Sequence, residues 1–142
     1  MVIADKPWFK NWPVKVPKSI EYPNFSLYDL LELAAENYPE KTAIIYGKQT
    51  ITFKQLNSSS KKFANFLINL GIKKSDCVAL YLPNVPTFII AYFGILKIGA
   101  VVTAINPLHR KYEVQHQLCD SGAQAIVTSE TLFSIVENIR SN

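Results

Sequence analysis

With 142 residues, 49% of them hydrophobic and 18% charged, the chain is long enough to bury one domain's core and too apolar to be a disordered polymer. Its formal charge of +4 comes from lysines scattered along the length beside two arginines, which gives nucleic-acid binding little support. Cys77 and Cys119 form no C-x-x-C pair and read as reduced, packed thiols of a cytoplasmic protein, while Asp5, Trp8, Trp12 and several prolines break up any apolar core that a secretory signal would need.

Residues 1–25 form a first unit, rich in lysine, proline and aromatics, from Lys6-Pro7-Trp8-Phe9-Lys10 to Glu21-Tyr22-Pro23. No helical or alternating period runs through it, which predicts an extended arm. Trp8, Phe9 and Trp12 interleaved with Lys6, Lys10 and Lys15 have three uses: stacking on bases, lying at a lipid interface, or packing on a protein surface. Burial against this or another protein surface is the reading we favour, because the prolines oppose an amphipathic interfacial helix.

Residues 26–142 are expected to form an α/β unit. Leu27, Leu30, Leu31, Ala34 and Ala35 share a helical face over 27–37, with Ser26 and Asp29 as its capping pair and Pro39 beyond its end. Thr42 to Tyr46 and Thr50 to Thr52 flank Gly47-Lys48-Gln49 and predict a small hairpin. Thr52 and Gln55 repeat the capping pattern ahead of a second helix whose stripe is Leu56, Ser60, Phe63, Leu67 and Leu70, ending at Gly71.

The stretch from Asp76 to Pro107 reads as strand, helix and strand. Cys77 to Leu82 is rich in strand formers and is stopped by Pro83, Asn84 and Pro86; Val85 to Ile98 is apolar nearly all round; Ala100 to Ile105 returns to a strand composition. No charge occurs from Cys77 through Leu96, so a membrane span is the rival. The internal prolines and Lys97 favour two buried strands joined by a buried helix. A helix over 109–121, a third strand over Ala125 to Thr128 and a last helix marked by Leu132, Phe133, Val136 and Ile139 complete the pattern. Strands alternating with helices predict a partial parallel sheet with flanking helices and right-handed crossovers. Such sheets usually have more than three strands, so the chain reads as cut from a larger protein.

Few residues carry chemistry. Gly94 and Gly99 have the spacing of the glycines in a phosphate loop, but they lead from helix into strand with no Lys-Ser/Thr pair after them, and close packing plus a helix stop explains them better. His109, Glu113 and His116 fall at i, i+4 and i+7, where a metal site is conceivable by spacing alone; a solvated helix face is the simpler account. We therefore assign no catalytic, cofactor-binding or metal residue.

The blocks Ile51-Thr52-Phe53-Lys54-Gln55-Leu56, Leu70-Gly71-Ile72-Lys73-Lys74-Ser75-Asp76, Pro83-Asn84, Lys97-Ile98-Gly99-Ala100, Asn106-Pro107 and Asp120-Ser121-Gly122-Ala123 occur in an order that resembles the N-terminal region of adenylate-forming acyl-CoA synthetases. The resemblance runs from about Tyr28 to Thr128, and the arm is more similar to fatty-acid CoA ligases than to the amino-acid-activating or luciferase branches. Ser75 departs from the family's usual glycine before Asp76.

The resemblance implies a carboxylate activated by ATP and magnesium to an acyl-adenylate, followed by transfer to coenzyme A. The family's phosphate loop, nucleotide contacts and catalytic lysine have no counterpart among these residues. The expectation is therefore an N-terminal piece of a long-chain fatty-acid CoA ligase, a scaffold inactive by itself that binds no cofactor. Its partners would be the rest of the ligase and a second copy reached through the arm, with no nucleic acid and no transmembrane span. Two alternatives are a stand-alone binding or interaction module and a ligase for aromatic or short-chain carboxylates. A missing partner should leave an exposed apolar patch larger than the few hundred square ångströms usual on monomers.

Overall fold

Burial on both faces of one short strand organises the chain. In a computed structural model describing residues 6–140, strand β3 (Cys77–Tyr81) lies between β4 (Val101–Ala104) and β5 (Ala125–Thr128) in a parallel sheet of order β4-β3-β5. Residues 1–5 of the arm, and Ser141 and Asn142, lie outside the described residues. The register pairs Cys77 with Val101 and Tyr81 with Thr128.

Period two sends Val78 and Leu80 to one face and Ala79 and Tyr81 to the other, each at 0% exposure. On the first face they meet Leu67 of helix α2 (Phe53–Asn69) and Ala91 and Ile95 of helix α3 (Pro86–Lys97). On the second they meet Ile105, Val114 of helix α4 (Lys111–Ser121) and the apolar side of helix α5 (Glu130–Arg140). Helices thus cover both faces, as a parallel sheet requires. Each fully buried large aliphatic contributes about 1.5–3 kcal/mol.

A third cluster joins helix α1 (Leu27–Asn37), the antiparallel hairpin β1 (Thr42–Tyr46) and β2 (Gln49–Thr52), and the outer sides of α2 and α3 around Tyr28, Leu31 and Leu56. Both expected capping boxes are present, Ser26 with Asp29 and Thr52 with Gln55. Helix α3 spans twelve residues packed between protein elements, and no helix among the described residues is long and apolar enough to cross a membrane.

The two turns that launch β3 and β4 are left-handed and bonded to each other. Ser75 has φ +72° and donates its amide to the carbonyl of Gly99, which has φ +73°, at 2.9 Å. Asp76 Oδ2 accepts the Lys73 amide at 2.7 Å, closing the first turn. A conformation that L side chains adopt at a cost therefore falls on a serine.

Four expectations need correction. The arm is not wholly extended: Pro7–Asn11 is a 3-10 helix, started by the fixed φ of Pro7 and by the Phe9 amide bonding Lys6 O at 2.9 Å. Helix α1 buries Tyr28 and Leu31, whereas Leu27 and Leu30 stay exposed beside the hairpin. Leu70 is exposed because the chain leaves the helix there toward Gly71. Helix α4 begins at Lys111, two residues late, because Asn106 to His109 is spent on a turn.

Candidate functional site

Parallel strands bring their carboxyl ends to one rim, where the crossover loops of an α/β sheet gather and ligands are bound. Here the rim consists of Pro83-Asn84 after β3, Asn106-Pro107 after β4 and Ser129 after β5.

The β4 loop is fixed from below. Tyr81, wholly buried, donates its phenol to the carbonyl oxygen of His109 at 2.6 Å. Burial pushes that phenol's pKa up, against the pull of Arg110. Asn106 Oδ1 accepts from the Leu108 amide at 3.0 Å, and Asn106 O accepts from the His109 amide at 2.9 Å, so the turn is set by an Asn side chain. Gln117 donates to Ala104 O at 2.9 Å and to Thr103 Oγ1 at 3.0 Å, tying α4 to the end of β4. Nδ1 of His109 is buried and has no hydrogen-bond partner among the described residues.

The candidate metal triad does not assemble. His109 lies before α4, and Glu113 folds back to accept the Arg110 amide at 3.0 Å, so its carboxylate caps the helix. That cap, through the amides of Glu113 and Arg110, holds the Glu113 carboxyl below its ordinary pKa. His116 is exposed, and the described residues contain no group of three or more His, Cys, Asp and Glu able to hold a metal.

The two glycines do not cradle phosphate either. A Cβ on Gly94 would stand 2.8 Å from Phe63 Cδ1 and 2.9 Å from the Ser60 carbonyl oxygen, so Gly94 lets α3 close on α2. Gly99 follows the end of α3 in the left-handed region. Cys77 is half-buried as a strand residue, but Cys119 is exposed on the outer side of α4, contrary to the expectation of a packed thiol.

One cluster went unnoticed in the sequence. Glu32 accepts from Lys61 at 2.9 Å and from Lys97 at 3.3 Å, and Lys97 Nζ lies 4.2 Å from the centre of the Tyr28 ring. Tyr28 OH in turn donates to Asn57 Oδ1 at 2.8 Å. Burial, with the Glu32 carboxylate adding to it, pushes the Tyr28 phenol up to about 12. These groups clamp α1, α2 and α3 together. The available signal was Lys97 itself, the single charge of an otherwise apolar helix.

Apolar surface is the rim's other property. A groove of about 260 Å³ runs between the hairpin and the start of α3, lined by Ile44, Ile45, Tyr46, Asn84, Val85, Pro86, Phe88 and Ile89. Through Ile44 and Ile89 it continues into a second groove of about 330 Å³ that includes Leu27, Leu30 and Phe93. The chain thus offers a hydrogen-bonded polar turn after β4 and an open apolar trough between the hairpin and α3.

A family model described as AMP-binding enzyme matches residues 31–141. The chain belongs to that family. It is 36% identical over 130 residues to a long-chain-fatty-acid–CoA ligase of Bacillus subtilis, covering 92% of this chain and 23% of that protein. The crystal structure of the anthranilate CoA ligase AuaEII with anthranoyl-AMP superposes with a TM-score of 0.79 at 27% identity, covering 82% of this chain and 23% of that one. The N-terminal domain of FACL13 from Mycobacterium tuberculosis does so with 0.77 at 30% identity, covering 81% and 30%. The fold is that of the N-terminal region of adenylate-forming enzymes. This family member spans about a quarter of the length of the curated relatives it matches.

Proposed function

We propose that this chain is the N-terminal scaffold of a cytoplasmic, ATP-dependent ligase that joins long-chain fatty acids to coenzyme A. In the intact enzyme the fatty carboxylate attacks the α-phosphorus of ATP, releasing pyrophosphate and forming an acyl-adenylate. The thiol of coenzyme A then displaces AMP to give the thioester. The two glycines with phosphate-loop spacing serve packing and a turn, and the described residues hold no group of three or more His, Cys, Asp and Glu able to hold a metal. No step is therefore assigned to a side chain of this chain. Its part is to hold the β3 rim and the adjoining apolar trough rigid for the remainder to pack against.

The observation that carries this reading is the match to the Bacillus ligase, which takes in 92% of this chain but 23% of the relative. Calorimetry with ATP and magnesium tests it, first on the chain alone and then after mixing with the separately expressed remainder of the gene product. The expected result is silence alone, and binding with acyl-CoA formation on mixing. Binding by the chain alone would favour an independent module. The likeness to an anthranilate CoA ligase supports a second reading, an aromatic carboxylate as substrate. Palmitate against anthranilate in the mixed assay separates the two, and turnover of palmitate is expected.

A further inference from the structure

The arm is folded, and it is folded onto itself. Phe9 sits edge-on to Trp8 at 6.3 Å and to Trp12 at 5.4 Å between ring centres. Trp12 Nε1 donates to Val16 O at 2.9 Å, which turns the chain back on the 3-10 helix. Lys6 Nζ stands 5.4 Å from the Trp8 ring centre and Lys18 Nζ 5.0 Å from that of Phe9. None of the residues of the 3-10 helix is buried, and Trp8 is 57% exposed, Val14 102% and Ile20 68%. An aromatic cluster of this size normally seeks a core. Here it is preformed, with one ammonium group over each of two rings, Trp8 exposed and Phe9 and Trp12 half-buried against their neighbours in the arm.

Charge decides what it fits. Residues 6–25 carry four lysines, Lys6, Lys10, Lys15 and Lys18, against one acid, Glu21. Tryptophan with flanking lysine is the composition of the boundary between lipid headgroups and acyl chains, where the ring sits among the headgroups and the ammonium meets phosphate. The prolines exclude an amphipathic helix, yet a compact Trp-Phe-Trp cluster needs none. We propose that the arm is a peripheral membrane anchor, seating Trp8, Phe9 and Trp12 in the interface of an anionic bilayer while the four lysines contact its phosphates. The inference is independent of the substrate proposed above, since it uses the arm alone.

The two tryptophans of the chain, Trp8 and Trp12, both lie in the arm, so intrinsic tryptophan emission reports on it without a label. The whole chain is titrated with vesicles of phosphatidylglycerol and phosphatidylcholine, then with phosphatidylcholine alone, and binding is checked by co-sedimentation. The expected result is a blue shift and co-sedimentation with the anionic vesicles, reversed by salt and absent with phosphatidylcholine. Each Lys→Gln change among Lys6, Lys10, Lys15 and Lys18 should weaken partitioning about fivefold. Far-ultraviolet circular dichroism confirms that these variants keep the fold. A blue shift that grows with protein concentration without lipid would place the arm on a second copy and overturn the proposal. So would vesicle binding that the lysine changes leave intact, or no binding at all.

Discussion

The apolar side chains around β3 and those of the arm obey opposite rules. Around β3, Val78, Leu80 and Tyr81 reach 0% exposure, whereas in the arm Trp8 stays at 57% and Val14 at 102%. Composition does not separate them, since both are rich in large apolar side chains. Geometry does: β3 offers two faces at period two, and a helix pair covers each. The arm's prolines deny it a ladder or a long helix, so its side chains find only one another. Burial here follows from having a partner face, not from hydrophobicity alone.

Removing a side chain from the core is the strongest way to sharpen that contrast. Ile95, at 0% exposure, packs in the cluster with Leu67, Val78 and Leu80. Ile95→Ala should cost about 2–5 kcal/mol in urea unfolding, through lost transfer energy and a cavity. Gly94→Ala, one residue away, should cost less, about 1–3 kcal/mol, by overpacking. Its new methyl would meet the Ser60 carbonyl oxygen at 2.9 Å, and that backbone lies inside α2 and has nowhere to go. If Gly94→Ala raised the melting temperature, the account of this glycine as a packing device would fail.

Much of this core was readable in the sequence. The strands at 77, 101 and 125, both capping boxes and the doubly covered sheet follow from period, capping residues and proline stops. Facing is where reading failed. Leu27 and Leu30 share a helical stripe with Leu31, but which edge of the stripe is covered depends on the hairpin and α3, which are remote in sequence. The polar turn at the rim was invisible for the same reason: Tyr81 and His109 stand 28 residues apart, and only the parallel register joins them. The clamp of Glu32 with Lys61 and Lys97 likewise unites three helices.

Ser75 was legible as a departure from the family's usual glycine, and its φ of +72° turns that into an energetic statement. Relief of about 1–2 kcal/mol of left-handed strain, offset by about 0.5–1 kcal/mol of glycine entropy, leaves Ser75→Gly about 0.5–1 kcal/mol more stable. Thermal melting checks the sign.

The clamp should show in the acid limb of the stability profile. Hydrogen bonds from Lys61, then Lys97, hold the Glu32 carboxyl below its ordinary 4.5. The Ser26 cap does the same for Asp29, below its ordinary 3.8. Carboxyls depressed in the folded state bind protons more weakly there than in the unfolded chain. Their stabilisation is therefore complete above the ordinary values and is lost as pH falls through the depressed folded ones. Urea midpoints should drop on acidification below pH 4.5. Glu32→Gln should make that drop shallower and cost under about 1 kcal/mol at neutral pH, since the pairs are partly solvated.

The smallest effect is the most telling. Trp8→Ala deletes one of the largest side chains in the protein, yet its ring contacts Phe9 and the Lys6 ammonium within the arm and reaches no residue of the three buried clusters. Stability should therefore change by no more than about 0.5 kcal/mol, as at ordinary surface positions. A loss as large as that of Ile95→Ala would mean that the arm is part of the folding unit. A silent Trp8→Ala, set beside an Ile95→Ala that unfolds readily, leaves the tryptophan with no role in this chain's own stability. The ring is then free for a contact made with something else, and Lys6 over it, with Lys18 over Phe9, sets the sign of charge that such a contact would meet.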